Sequence, residues 1–237
     1  MKSGKKVIKL AGEVSPEFNE EKIHEVRTTI KKMRAIGVWS GTPVNRFFRE
    51  NYRLLGSIRD LQLALNKIKN GEYIVPPGFA NWLETNLHHL KVEWQKKYDP
   101  EKIETQLKSL RKSFSNKNDG SKHALKFEKD KSEKLNSFMH VRPLSDEQIH
   151  SGRKTIKEID FLNKWEKKKS GEQLKRISDE TGNFMDRISA IRLLEQYLDQ
   201  ESDESKRNES RSLLEQWQKD KEQEKSKLLQ SINSLSP

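Results

Sequence analysis

Two short rows of basic residues are the part of this sequence equipped for chemistry. Within "IHEVRTTIKKMR" (23–34), His24, Arg27, Lys31 and Arg34 stand at i, i+3, i+7 and i+10. On a helix turning about 100° per residue they share one arc. Ile23, Val26, Ile30 and Met33 share the neighbouring arc as a core stripe, while Glu25, Thr28 and Lys32 lie on the far side. Basic side chains beside an apolar seam can lay their stems on the core and gather their heads in a groove. Such a row offers charge-assisted hydrogen bonds to successive phosphates, Arg as a two-pronged donor and Lys as a point charge. Taken by itself, the stretch favours an ordinary boundary face, where Lys and Arg are common.

The row occurs twice. In "IHSGRKTIKEID" (149–160), Ile149, His150, Arg153, Thr155, Ile156 and Lys157 repeat Ile23, His24, Arg27, Thr29, Ile30 and Lys31 at a constant offset of 126. The same offset takes Trp39 to Trp165, Gly56 to Gly182, Asp60 to Asp186 and Ala64 to Ala190. These ten identities compare with about two or three expected by chance, and they mark an internal duplication of half the chain. Far-side positions differ between the copies, as Glu25 against Ser151 and Lys32 against Glu158. The retained His/Arg/Lys rows therefore favour a functional row over a solvated face. The recurring Trp39 and Trp165 favour core packing over base stacking.

The elements that must position these rows all read as helices, with no strand pairs. Helices are expected over 18–36, over 43–70 with a break at "LLGSIRD" where Gly56 suits close packing or a cap, and over 79–98. A further helix is expected over 99–114, with Asp99 as N-cap and Pro100 at N1. "GEYIVPPG" (71–78) reads as a loop and "SNKNDGSKH" (115–123) as a polar linker. In the second copy Ser145 is an N-cap signal for a helix to about 168, followed by helices over 171–200 and 205–233. "DQESDESKRNES" reads as a solvated acidic connector and not as a metal site, since no His or spaced carboxylate set accompanies it. The division expected is a basic N-terminal segment (1–17), a first repeat (18–122) and a second repeat (123–237).

Composition bounds the function. The chain of 237 residues is 35% charged and 32% hydrophobic, a balance that long helices with narrow apolar seams accommodate. Cys is absent, so disulfides and Cys-based metal sites or nucleophiles are excluded. No apolar run long enough to span a bilayer follows the basic start, and the expectation is a soluble, cytoplasmic protein without contact to membrane. The net charge of +11 is uneven: residues 1–126 hold 25 Lys/Arg against 14 Asp/Glu, and residues 127–237 hold 22 against 22. An excess confined to one half points to a polyanionic partner.

A duplicated His-x-x-Arg-x-x-x-[Lys/Arg] helix, each copy followed by a Gly and an Asp four residues later, resembles the CHAD family, the conserved histidine α-helical domain. The carrying segments are "IHEVRTTIKKMRA" with "LLGSIRDLQLAL", and "IHSGRKTIKEIDF" with "ETGNFMDRISA". The resemblance covers nearly the whole chain. It implies an all-α fold of two four-helix bundles related by a pseudo-two-fold axis. Basic residues of both halves would line a central groove that binds inorganic polyphosphate, and the protein would associate with polyphosphate granules. Carried over position by position, the groove residues are His24, Arg27, Lys31 and Arg34, with His150, Arg153, Lys154 and Lys157. Arg59–Asp60 matches the family's Arg-Asp pair; Asp186 matches only its acidic member, because Met185 stands in place of the Arg. Arg49, Arg53 and Lys175 are additions on the following helices. Asp160 sits where the family has a basic residue and Glu158 replaces another, which weakens the second half-site. Either acid would pair with a groove Arg or repel phosphate.

His24 and His150 would hold phosphate more strongly when protonated, below about pH 6.5, or else orient neighbouring helices. Asp60 and Asp186 fit a structural part, holding basic side chains or capping a helix, better than acid catalysis. Rival functions are nucleic-acid binding, which calls for exposed aromatics or a docking helix, and a scaffold in which the basic rows stay scattered. No cofactor or metal is expected, and catalysis is not: the Glu-x-Glu-x-Lys triphosphatase motif sometimes fused to the family, a Gly-rich phosphate loop and a metal cluster are all missing. A sulfate or phosphate bound between the two His-bearing helices would mark the site.

Overall fold

A computed structural model of the chain describes residues 18–39, 46–105, 120–140, 143–165 and 172–234, together with 12, 14 and 108. Among the described residues the regular structure is helical. The long helices are α1 (Glu20–Trp39), α2 (Arg46–Lys69), α3 (Pro77–Lys97), α4 (Gly120–His140), α5 (Asp146–Trp165), α6 (Glu172–Gln200) and α7 (Glu204–Asn233). The 126-residue offset reappears in the helix bounds: α1 and α5 begin and end 126 residues apart, and α2 and α6 begin 126 apart.

Local chemistry sets the helix ends. Asn19 Oδ1 accepts from the N–H groups of Glu21 and Lys22, so α1 starts two residues later than its hydrophobic pattern. Ser145 and Gln148 form a reciprocal capping box at the start of α5, with bonds of 3.2 and 2.7 Å. Asp99 caps the next turn through the Lys102 N–H at 3.0 Å, and its carboxyl is held below its usual value chiefly by that bond. That helix is described to residue 105; its expected remainder to 114, Lys108 excepted, lies outside the described residues, as do 166–168 and nearly all of the basic segment 1–17. α2 ends in a turn where Gly71 adopts φ 74°, the left-handed region that favours glycine.

Four expectations are corrected. α2 runs unbroken through "LLGSIRD", so Gly56 is neither a break nor a cap. α1 continues past Gly37 to Trp39, which is half-buried. Residues 120–123 belong to α4 and not to a linker; α4 itself was hidden by its dense charge. The acidic connector shrinks to Glu201–Asp203: Asp203 caps α7 by accepting from the Ser205 and Lys206 N–H groups, and Ser210 is buried.

The chain divides into two compact units, Met1–Gly56 with Lys91–Gly171, and Ser57–Leu90 with Glu172–Pro237. This division crosses the repeats: each unit takes segments from both halves of the chain. The first unit buries the predicted stripe Ile23, Val26, Ile30 and Met33 together with Ile149 and Ile156. Thr29 and Thr155, another repeated pair, are buried there too, and Thr29 Oγ1 donates to the Glu25 carbonyl at 2.8 Å. α4 and α5 approach closely because Gly152 leaves room for the Phe138 ring, which a Cβ would overlap. The second unit has an aromatic core of Tyr73, Phe79, Tyr197 and Trp217, with Trp82 packed against it. Its closest ring pair, Tyr73 and Trp217, has centroids 4.8 Å apart.

Candidate functional site

The first unit contains a cleft of about 180 Å³ lined by Lys31, Arg34, Tyr52, His150, Arg153, Lys154, Lys157, Glu158 and Phe161. α1 supplies Lys31 and Arg34, α2 supplies Tyr52, and α5 supplies the rest. Lys31 and Lys157 are repeat equivalents, so basic residues of both copies face one space. Five cations and a histidine surround it against one carboxylate. That carboxylate is not loose in the site: Glu158 Oε2 lies 2.7 Å from Lys131 Nζ of α4, and the two side chains are only 19% and 14% exposed. Asp160 pairs with Lys164 along α5 at 2.7 Å. Both acids of the second copy thus pair with cations outside the cleft lining.

The remaining expected residues go elsewhere. His24 is exposed on α1, its ring 3.4 Å from the Thr28 hydroxyl, and is not part of the wall. Arg49 and Arg53 are exposed on α2 and also stand apart from it. Arg59 and Lys175 belong to the second unit. Asp60 and Asp186 line a small cavity of that unit together, beside Lys67 and Tyr73. Two further repeat pairs, Leu63 with Ser189 and Ala64 with Ala190, line the same cavity. Both Asp residues sit inside helices, so neither is an N-cap. The second unit's own larger cleft, about 380 Å³, carries one Arg (Arg192) and one Asp (Asp60) among polar and apolar neighbours and has no basic bias.

Arg27 points into the protein. Its Nη1 donates to the Tyr52 carbonyl at 2.7 Å, and its guanidinium carbon lies 4.4 Å from the centre of the Tyr52 ring. A Cβ on Gly56 would overlap this guanidinium. Glycine inside a helix costs about 1 kcal/mol relative to alanine; here the missing side chain gives Arg27 access to the helix backbone. The Arg34 guanidinium lies 5.4 Å from the same ring. Tyr52 and Phe161 join the wall without being singled out by the spacing of the basic rows. Phe161 has Lys32 5.7 Å from its ring centre. The only signal for Tyr52 was its position four residues before the repeated Gly.

Charge separates by unit more sharply than by repeat. The first unit's residues include 33 Lys/Arg and 19 Asp/Glu, a balance of +14, and the second unit's include 14 and 17, a balance of −3. Among the described residues no group of three or more His, Asp or Glu is close enough to hold a metal ion, and no helix is long and apolar enough to cross a membrane. Compared with protein-family models, curated proteins and solved structures, the chain matches none.

Proposed function

We propose that the chain is a non-catalytic binder of inorganic polyphosphate, in the manner of the CHAD family its motifs resemble, and that the anion lies in the basic cleft of the first unit. The observation that carries this reading is the convergence of Lys31 and Arg34 with His150, Arg153, Lys154 and Lys157 on one cleft. A scaffold gives no reason for cations of both repeats to share a wall. Cations one or two helical turns apart suit a flexible chain of charges with no bases to be read. Their mutual repulsion costs stability in the empty protein, and a bound polyanion relieves it. The groove that the family resemblance sets between the two repeats corresponds to this cleft, and the cytoplasm and its polyphosphate granules are where the reading places the protein. Two half-bundles related by a pseudo-two-fold axis belong to the same reading, supported by the helix bounds 126 residues apart.

Tyr52 and Phe161 in the wall favour single-stranded nucleic acid as the second reading, because bases stack on such rings. The deciding measurement is a set of binding isotherms over a salt series for long-chain polyphosphate and for single-stranded RNA of matched charge. We expect polyphosphate to win at physiological salt, and Lys31→Glu/Arg34→Glu to weaken it at least ~100-fold, since each charge-assisted bond is worth about 1.5–3 kcal/mol. Equal binding of RNA, or normal binding by the variant, overturns the assignment.

A further inference from the structure

We infer that Arg27 is a positioning residue of the cleft and not a ligand of the anion: seated in the gap left by Gly56, it fixes Tyr52, and Tyr52 fixes Arg34 at the cleft wall. The inference rests on the polyphosphate reading of that cleft.

Each link is a contact. Gly56 lies well inside α2, and a Cβ there would overlap Arg27 Nη1 and crowd its Cζ and Nη2 at 3.1 and 3.3 Å. Nη1 donates to the carbonyl of Tyr52, one helical turn before Gly56, at 2.7 Å. A helical carbonyl has a second lone pair for such a donor only where the neighbouring side chain leaves room. The same guanidinium covers the Tyr52 ring at 4.4 Å, and its Nη2 lies 3.5 Å from the Tyr52 hydroxyl. Backbone and ring of Tyr52 are thus held by one side chain. Arg34, two turns further along α1, has its guanidinium 5.4 Å from that ring. Tyr52 and Arg34 line the cleft and Arg27 does not. The second repeat keeps the Arg and the Gly as Arg153 and Gly182, yet replaces ring and outer cation together, by Ser178 and Asp160. Tyr52 and Arg34 are present together in one copy and absent together in the other, as a working pair requires.

Gly56→Ala separates this role from a structural one. The new methyl evicts only the flexible end of Arg27, and alanine suits a helix better than glycine. The thermal midpoint should therefore stay level or rise while binding falls. On the full chain, long-chain polyphosphate affinity over a salt series should read as follows. Arg34→Gln loses about 10-fold and flattens the salt slope by about 0.7, the value of one released counterion for a single strand. Gly56→Ala, Arg27→Gln and Tyr52→Leu each reproduce much of that loss, and Tyr52→Phe, which keeps the ring, binds within about 2-fold of the unaltered chain. In the Arg34→Gln background each of them adds less than about 2-fold and leaves the slope unchanged. If Arg27→Gln lowers affinity and slope further in that background, Arg27 itself touches the anion and the inference is wrong. It is equally wrong if Gly56→Ala binds with unaltered affinity and slope. Failure of the unaltered chain to bind polyphosphate at all overturns the functional reading and this inference with it.

Discussion

Each unit of the molecule sets an arginine over a tyrosine, and the two arginines meet different fates. In the second unit Arg187 lies 5.3 Å from the Tyr73 ring centre, and Glu224 closes it off with bonds of 2.9 and 3.2 Å. Its positive charge is cancelled where it sits. In the first unit Arg27 lies over Tyr52 and donates to the Tyr52 carbonyl. The second unit spends its aromatics on a core, and its residues balance to −3; those of the first balance to +14, and five of its cations line one cleft. On the proposed reading the second unit is the frame and the first carries the binding surface.

The sharpest way to break this division of labour is to damage the frame. Phe79 is almost completely buried and touches Tyr197, Trp82 and Trp217. Phe79→Ala should cost about 3–5 kcal/mol, read as the change in urea midpoint with constant slope. Polyphosphate affinity of the molecules that remain folded should not change; a parallel loss would join the two functions. A smaller effect comes from ligand: polyphosphate at about 100 times its Kd should add ~2.7 kcal/mol of stability, with no such gain for Lys31→Glu/Arg34→Glu. An unchanged melting temperature would remove the first unit's claim to the anion.

Smaller again is the effect of the acid in the wall. Glu158→Gln removes the one carboxylate that lines the cleft among the described residues and releases Lys131, so affinity should rise several-fold, by about 1 kcal/mol. Lys131→Met leaves Glu158 without its 2.7 Å partner and should weaken binding by a similar factor. Isotherms that move together in both variants would show that the pair does not tune the cleft.

The smallest effects are in pH, and two of them fall in the second unit. Burial first, then the bond to Glu201, pushes the Tyr197 phenol up to about 12 from its usual 10.0. A raised value means that the unfolded chain ionises first, so this contribution is whole below pH 10 and fades as pH rises towards 12. Asp203 goes the other way: chiefly the Lys206 N–H, with Ser205, holds its carboxyl below the usual 3.8, so the cap is complete above that pH and lost in more acidic solution. Tyr197→Phe should flatten the alkaline decline in melting temperature and Asp203→Asn the acid one. A decline that survives either change assigns it to other groups.

Much of this was legible in the sequence, and the reasons for the rest are physical. Ile23, Val26, Ile30 and Met33 declare their shared arc, and all are buried. Asp99 and Ser145 declare caps through chemistry confined to three residues. α4 was missed because charge dominates it and its few apolar residues, Phe127 and Phe138 among them, leave a thin stripe. The length of the acidic connector was misjudged because Asp203 turns a polar run into a helix start. Periodicity grouped Arg27 with Lys31 and Arg34, since it sees the face of one helix only. The partner that turns Arg27 inward is a main-chain carbonyl 25 residues away, and carbonyls have no letter in a sequence. Gly56 hinted at a close approach without saying what approaches.

The way the compact units draw on the chain decides what either half could build alone. Neither repeat contains a whole unit, since both halves contribute to each. A polypeptide of half this length would leave its apolar seams uncovered, and two copies would close them by exchanging segments. Severed between the repeats, the two halves should still find each other and rebuild both units.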